Sequence, residues 1–193
     1  GRSERYIKDD HELKEYLLTL ALDDAELHPG PDAEPLNKKA LEAVAKEYFL
    51  AEAVIDRMSR LIDPAVLQAL LANPEIDLSS EEAAAQSARR IQAALGAEDI
   101  KIEPKYDEKT ERYLLIIRRT QHGNLHNTAL DLDFIQSGDY EQIKKTAEVL
   151  QGLLHEGAFV KRGEQRHQIS NVKEALNWLL DEVKRGLGIQ RYK

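Results

Sequence analysis

The chain contains no cysteine among its 193 residues. Disulfides, thiolate metal sites and a thiol nucleophile are therefore excluded, and the composition fits a reducing compartment. No stretch has the pattern of a signal peptide, and no apolar run is long enough to span a bilayer. A soluble protein with no membrane contact is expected, and the cytoplasm is its expected location. A GxxxxGK[ST] loop is missing, as is a GxGxxG after a strand, so no cradle for nucleotide phosphates is visible. There is no GxSxG elbow either. Taken alone, the chain carries no catalytic constellation. It begins at Gly1, without an initiator Met, and it stops on "GLGIQRYK", where Ile189, Gln190, Arg191, Tyr192 and Lys193 alternate in character as in a strand. Both ends are expected to be cuts through a longer protein.

What is present suits one large domain or two small ones. Hydrophobic residues make up 42% and charged residues 32%, enough for a core beneath a well-solvated surface. The net charge of −8 is unevenly spread. Residues 9–98 hold 8 basic and 19 acidic residues, whereas residues 157–193 hold 8 basic and 4 acidic. The acidic part should repel nucleic acid, and the basic end can approach it. Both can also be ordinary solvated faces.

The pattern of apolar residues predicts helices first and strands later. "SERYIK" (3–8) reads as a short strand. Asp9 or Asp10 then opens a helix with Leu13, Leu17 and Leu20 on its apolar face. "HPGPDAEP" is a loop. A long helix over about residues 37–62 carries a heptad seam of Leu41, Val44, Tyr48, Ala51, Ile55, Met58 and Ile62. The seam suits a partner helix or packing within its own domain; Phe49 and Leu50, widening the apolar face, favour the second. Asp63-Pro64 starts a shorter helix through Leu71. Ser79 or Ser80 caps another that Gly96 closes.

The period changes at Asp99. Ile100, Ile102 and Tyr106 alternate with polar residues, and Pro104 places that strand at an edge. "RYLLIIRRT" predicts a strand covered on both faces. Gly123-Asn124 turns into a third strand, "LHNTALDL". A helix follows from Ser137-Gly138 to about Glu156, then a tight hairpin around Gly163 in "AFVKRGEQRHQI". Ser170 caps a last helix with Val172, Leu176, Leu179 and Val183 inward, ended by Gly186. The expected class is α+β: a helical first half, then a small, mainly antiparallel sheet with two further helices.

Candidate chemistry is sparse. Asp131 and Asp133 in "ALDLDF" can share a Mg²⁺ from a strand end, but they lack a third acid, and Asp133 is placed to cap the following turn. His122 and His126 bracket a turn, so their spacing loses its meaning for zinc. The basic end is the best functional feature. Lys161, Arg162 and Arg166 sit on the hairpin, and Lys184, Arg185, Arg191 and Lys193 follow. Cations on a short hairpin and a nearby strand suit phosphate contacts that position nucleic acid without reading its sequence. Helix C-termini also attract Lys and Arg through the macrodipole, a sufficient alternative explanation for Lys184 and Arg185.

The two ends carry a resemblance. "GRSERYIKDDHELKEYL" at the start and "GIQRYK" at the finish resemble the B subunit of bacterial DNA gyrase, where a strand and acidic helix of the TOPRIM region precede a tail segment opening on "RYKGLGEMN". In a Gram-negative subset a large insertion separates the two. "HNTALDLDFIQSGDYEQI" and "LQGLLHEGAFVKRGEQRHQISNVKEALNWLLDEVKRGLGIQRYK" resemble the second half of that insertion closely. The resemblance is weak from about His28 to Lys109. It implies residues 1–20 as the C-terminal piece of the TOPRIM region, 21–185 as the insert, and 186–193 as the start of the tail, with Tyr192 packing the tail strand. It implies a parent type IIA topoisomerase that uses ATP and Mg²⁺ to introduce negative supercoils into double-stranded DNA, as an assembly of two A and two B subunits. The fragment lacks the ATP site, the TOPRIM Glu and DxD metal triad and the tyrosine nucleophile of the gyrase A subunit, so no cofactor and no catalytic residue is expected within it. Its expected work is to position DNA, through Lys161, Arg162, Arg166, Arg191 and Lys193, or to buttress the gyrase A subunit. A protein-interaction module with no DNA role is the alternative, and a free-standing metal hydrolase using Asp131 and Asp133 a distant third.

Overall fold

The computed structural model describes residues 10–188. In chain order the elements are α1 (Asp10–Leu22), β1 (Ala25–His28), α2 (Lys38–Met58), α3 (Pro64–Leu70), α4 (Glu81–Leu95), β2 (Ile100–Asp107), β3 (Arg112–Gln121), β4 (Asn124–Leu130), α5 (Leu132–Ile135), α6 (Gly138–Leu150), β5 (Phe159–Arg162), β6 (Gln165–Gln168) and α7 (Val172–Gly186). The class is α+β, as the change of period at Asp99 implies. There are two antiparallel three-stranded sheets among the described residues, ordered β1-β5-β6 and β2-β3-β4, where one small sheet was expected. The difference is β1, a strand inside the otherwise helical first half that pairs with β5. Only Leu27 of its four residues is buried, and so short a strand leaves no alternation to detect. The strands expected over 3–8 and 189–193 lie outside the described residues.

The chain divides into two units, one holding the residues up to Phe49 and from Gly152 onward, the other Leu50–Gln151. In the first, α7 packs on α1 and β5. The four residues expected inward on α7 are buried, together with Ala175 and Leu180. Each large apolar side chain among them contributes about 1.5–3 kcal/mol by its burial. The helix is capped one residue later than expected. Asn171 Oδ1 accepts the Glu174 N–H at 2.9 Å, while Glu174 Oε2 accepts the Ser170 N–H at 3.0 Å, so Ser170 is the residue before the cap. At the other end Gly186 is still helical, and Gly188 takes the left-handed conformation with φ +66°.

The loop before α2 meets the loop before β5. The His155 N–H donates to the Pro29 carbonyl at 2.8 Å. Gly157, at φ +89°, lies so near the Pro31 ring that an added Cβ would stand 2.8 Å from Pro31 Cδ. Backbone strain and overlap then act together. Gly157→Ala is expected to destabilise the fold by about 1–3 kcal/mol, read as a lower urea midpoint with an unchanged slope.

In the second unit α4 packs on β2, with Ala84, Ala88 and Ile91 buried. Ser80 caps it, accepting the Ala83 N–H at 3.1 Å, and Gly96 closes it at φ +59°. Gln92 then fastens helix to strand: its Nε2 donates to the Ile100 carbonyl at 2.7 Å and its Oε1 accepts the Ile102 N–H at 3.1 Å. Pro104 does lie on an edge strand, β2. The central strand β3 is not covered on both faces. Leu115 and Ile117 are buried, whereas Leu114 and Ile116 are only half-buried. A continuous apolar run does not specify whether its second face has a cover. The β3–β4 turn is His122–Gly123, with φ +52° and +77°, the signs of a type I′ turn.

The heptad seam on α2 is used by the chain itself. Leu41, Val44, Tyr48, Ala51, Ile55 and the following Ile62 are buried. Leu50 is 40% exposed and does not belong to the apolar face. The helix expected to reach Glu156 ends at Leu150. Ahead of α3, Asp63 joins three elements. Its Oδ1 accepts the Ala65 N–H at 2.9 Å as the helix cap, and its own N–H donates to Thr128 Oγ1 at 3.1 Å on β4. Arg119 of β3 grips the same carboxylate with both arms, Nε to Oδ2 at 2.6 Å and Nη2 to Oδ1 at 2.9 Å.

Candidate nucleic-acid interface

The basic hairpin is built by its turn. Gly163 at φ +60° is the first of two residues between β5 and β6, the position at which a type II′ turn needs glycine. That turn fixes the register, so Lys161 stands opposite Arg166 and Arg162 opposite Gln165. The pleat then sorts the three cations. Lys161 and Arg166 share one face with Phe159, His28 and Glu26. Arg162 lies on the other, with buried Leu27 and Val160, and its Nε is buried without a hydrogen-bond partner among the described residues. The hairpin therefore brings together two of the expected cations and sets the third apart.

The Lys161–Arg166 pair is exposed, and among the described residues no ion pair engages either side chain. Like charges directly opposite repel, so the pair is better accommodated with an anion against it. Arg166 is also oriented. Its guanidinium carbon lies 3.6 Å from the centroid of the Phe159 ring, and the His28 ring stacks on the same phenyl at 4.2 Å and 10°. A guanidinium held over a ring face is positioned while its N–H groups stay available to phosphate oxygens. Glu26 tempers the charge from the third strand of the row, opposite Lys161, and holds His28 Nε2 at 3.2 Å. Phe159 and His28 were not anticipated as part of this face. Phe159 stands two residues before Lys161, so the period of the strand carries the signal for it; His28 sits on the strand that the sequence pattern missed.

Other candidates fall differently. Arg185 is paired with Glu182 one turn back on α7, and Lys184 is half-buried. Arg191, Tyr192 and Lys193 lie outside the described residues. The cap of α5 is Asp131, not Asp133: Asp131 Oδ1 accepts the Phe134 N–H at 3.0 Å, because the cap must precede the first helical residue, Leu132. His122 occupies the β3–β4 turn and His126 stands across from Arg119 on β4. Among the described residues no three His, Asp or Glu side chains gather where they could hold a metal ion, and no helix is long and apolar enough to cross a membrane.

The architecture is α+β in two units, with a cationic hairpin in the first and, among the described residues, no cluster of metal-ligating groups. Residues 25–183 match the family described as the DNA gyrase B subunit insert domain, and the chain belongs to that family. Two similar proteins are the DNA gyrase B subunits of Caulobacter vibrioides strain NA1000 / CB15N and of strain ATCC 19089 / CIP 103742 / CB 15. Each is 27% identical over 194 aligned positions, which take in 100% of this chain and 23% of the relative. The chain thus spans about a quarter of the length of these relatives.

Proposed function

We propose that this insert works within the B subunit of DNA gyrase, without chemistry of its own, to support the ATP-dependent negative supercoiling of double-stranded DNA by a type IIA topoisomerase. Its part is to position the DNA backbone beside the rest of the B subunit and to buttress the gyrase A subunit in the cytoplasmic assembly. ATP and Mg²⁺ serve the parent enzyme through residues elsewhere in it. Residues 21–185 form the insert, 1–20 the end of the TOPRIM region and 186–193 the start of the tail, where Arg191 and Lys193 add phosphate contacts and Tyr192 packs.

One observation carries this reading: Lys161 and Arg166 stand opposite each other, exposed and without ion-pair partners among the described residues, with the guanidinium already laid on Phe159. Paired cations of this kind contact phosphate without reading sequence. The acidic stretch 9–98, with 19 acidic against 8 basic residues, keeps DNA off other surfaces. It also supports a second reading, a pure protein-interaction module that docks a basic partner. Deleting residues 25–183 from the full-length B subunit separates the two. The expected result is loss of supercoiling together with weaker DNA binding. Loss of supercoiling with normal DNA affinity would sink the DNA-positioning part and leave the interaction module.

A further inference from the structure

Strand β4 is an outer strand, and it is undefended. Edges of sheets are normally protected by proline, lysine or a bulge. The opposite edge follows that rule, with Lys101, Pro104 and Lys105 on β2. β4 reads Asn-Leu-His-Asn-Thr-Ala-Leu, with no proline, lysine or carboxylate. Residues Asn124 to Asn127 are exposed, Leu125 at 60%. The two-residue turn closes the ladder at Gln121–Asn124. Alternation from that pair points the N–H and C=O groups of Leu125, Asn127 and Ala129 away from β3. No backbone hydrogen bond from outside the ladder reaches these three among the described residues.

The open sheet face beside this edge is the second observation. Leu114, Ile116 and Ala129 share it with Leu125, and so do Lys101 and Arg118, which stand directly opposite each other. Both cations are exposed, and Glu103, 3.7 Å from Arg118, offsets one of them. Such a pair seeks further negative charge.

We propose that β4 is a strand-addition site for an extended protein segment that carries carboxylates between small aliphatic side chains. The segment pairs with the outward groups of Leu125, Asn127 and Ala129 as a fourth strand. Its acidic side chains turn toward Arg118 and Lys101, and its aliphatic ones fall on the other face of the sheet, that of Thr128 and Leu130. Main-chain bonds supply affinity, and the alternate side chains supply selectivity. A nucleic acid fits less well, because the face offers aliphatic side chains where unpaired bases stack on aromatic ones.

The test uses the full chain and a capped decapeptide of alternating valine and glutamate, read by amide hydrogen exchange. Slowed exchange at Leu125, Asn127 and Ala129, with β2 amides unchanged, is the expected result. Asn127→Pro removes one outward N–H without touching the ladder, and it should abolish the protection. Should that variant not fold, Arg118→Glu decides, since it leaves the backbone intact and should abolish the protection by charge alone. Protection on β2, equal protection by a valine–lysine peptide, equal protection by duplex DNA, or none at all would each overturn the proposal.

Discussion

Replacing Arg119 with alanine is expected to destabilise the protein by about 3–5 kcal/mol at neutral pH, the range for breaking a buried ion pair from one side. Asp63 is 5% exposed and relies on the two arms of Arg119. Asp99, at 3.5 Å from Arg119 Nη1, is half-exposed and adds little. Once Arg119 is gone, the Asp63 carboxylate stays buried with only backbone donors. The cost should depend on acidity in a definite direction. Burial by itself raises the Asp63 pKa; the hydrogen bond from Arg119, those from the Ala65 and Val66 N–H groups and the guanidinium charge outweigh it, so the carboxyl sits below its ordinary value. A lowered folded-state pKa contributes stability that is present above the unfolded value and lost as the pH falls through the folded one. The gap between wild type and Arg119→Ala should therefore be widest near pH 7 and shrink at about pH 3, below the unfolded carboxylate value of about 4. Urea unfolding at the two pH values measures it. A difference under about 1 kcal/mol at neutral pH, the size of an exposed pair, would show that the two residues do not form a buried unit.

The second large effect concerns DNA. In the full-length B subunit, Lys161→Ala with Arg166→Ala should lower the salt slope of DNA binding by about 1.8, from roughly 0.9 for each phosphate no longer neutralised. Adding Arg162→Ala should change the slope little, because that side chain lies on the other face of the hairpin, beside Leu27 and Val160. Equal effects from all three residues would mean that the hairpin meets DNA at its tip rather than by one face. An unchanged slope in the double variant would remove this face from DNA binding altogether. The affinities are to be compared at matched ionic strength, where a purely structural role leaves the slope untouched.

Much of the fold was legible because its signals are local. Ser80 and Gly96 bound α4 by capping chemistry, and Gly163 marks a two-residue turn by its φ. The alternation around Ile100 and Ile102 and the proline at 104 place β2 as an edge. What failed needed distant partners. β1 is a strand only because β5 pairs with it, and nothing within Ala25–His28 carries that information. Likewise the run "RYLLIIRRT" cannot tell a covered second face from an open one. The caps in use, Asn171 rather than Ser170 and Asp131 rather than Asp133, turned on which side chain reaches a particular N–H. The candidate site was legible as a group of cations. Its division by the pleat follows from the register, which the turn at Gly163 sets. The stacking of His28 and Arg166 on Phe159 depends on the strand that the sequence concealed.

The path of the chain through its two units bears on the order in which it acquires its structure. Ala25 pairs with Arg162, so the first sheet joins the early part of the chain to a late part, while Leu50–Gln151 is continuous and contains both members of each of its strand pairs. A polypeptide emerging from the ribosome at about 5–20 residues per second offers the continuous unit all of its partners before the split one has its second strand. Closing β1 onto β5 across a disordered interior would carry the entropy of a long loop, which grows as about (3/2)RT ln n. A folded interior removes most of that chain from the count. The continuous unit thus acts as an entropic clamp for the split one, and lesions such as the loss of Arg119 should slow the formation of the cationic hairpin's sheet without touching any of its residues.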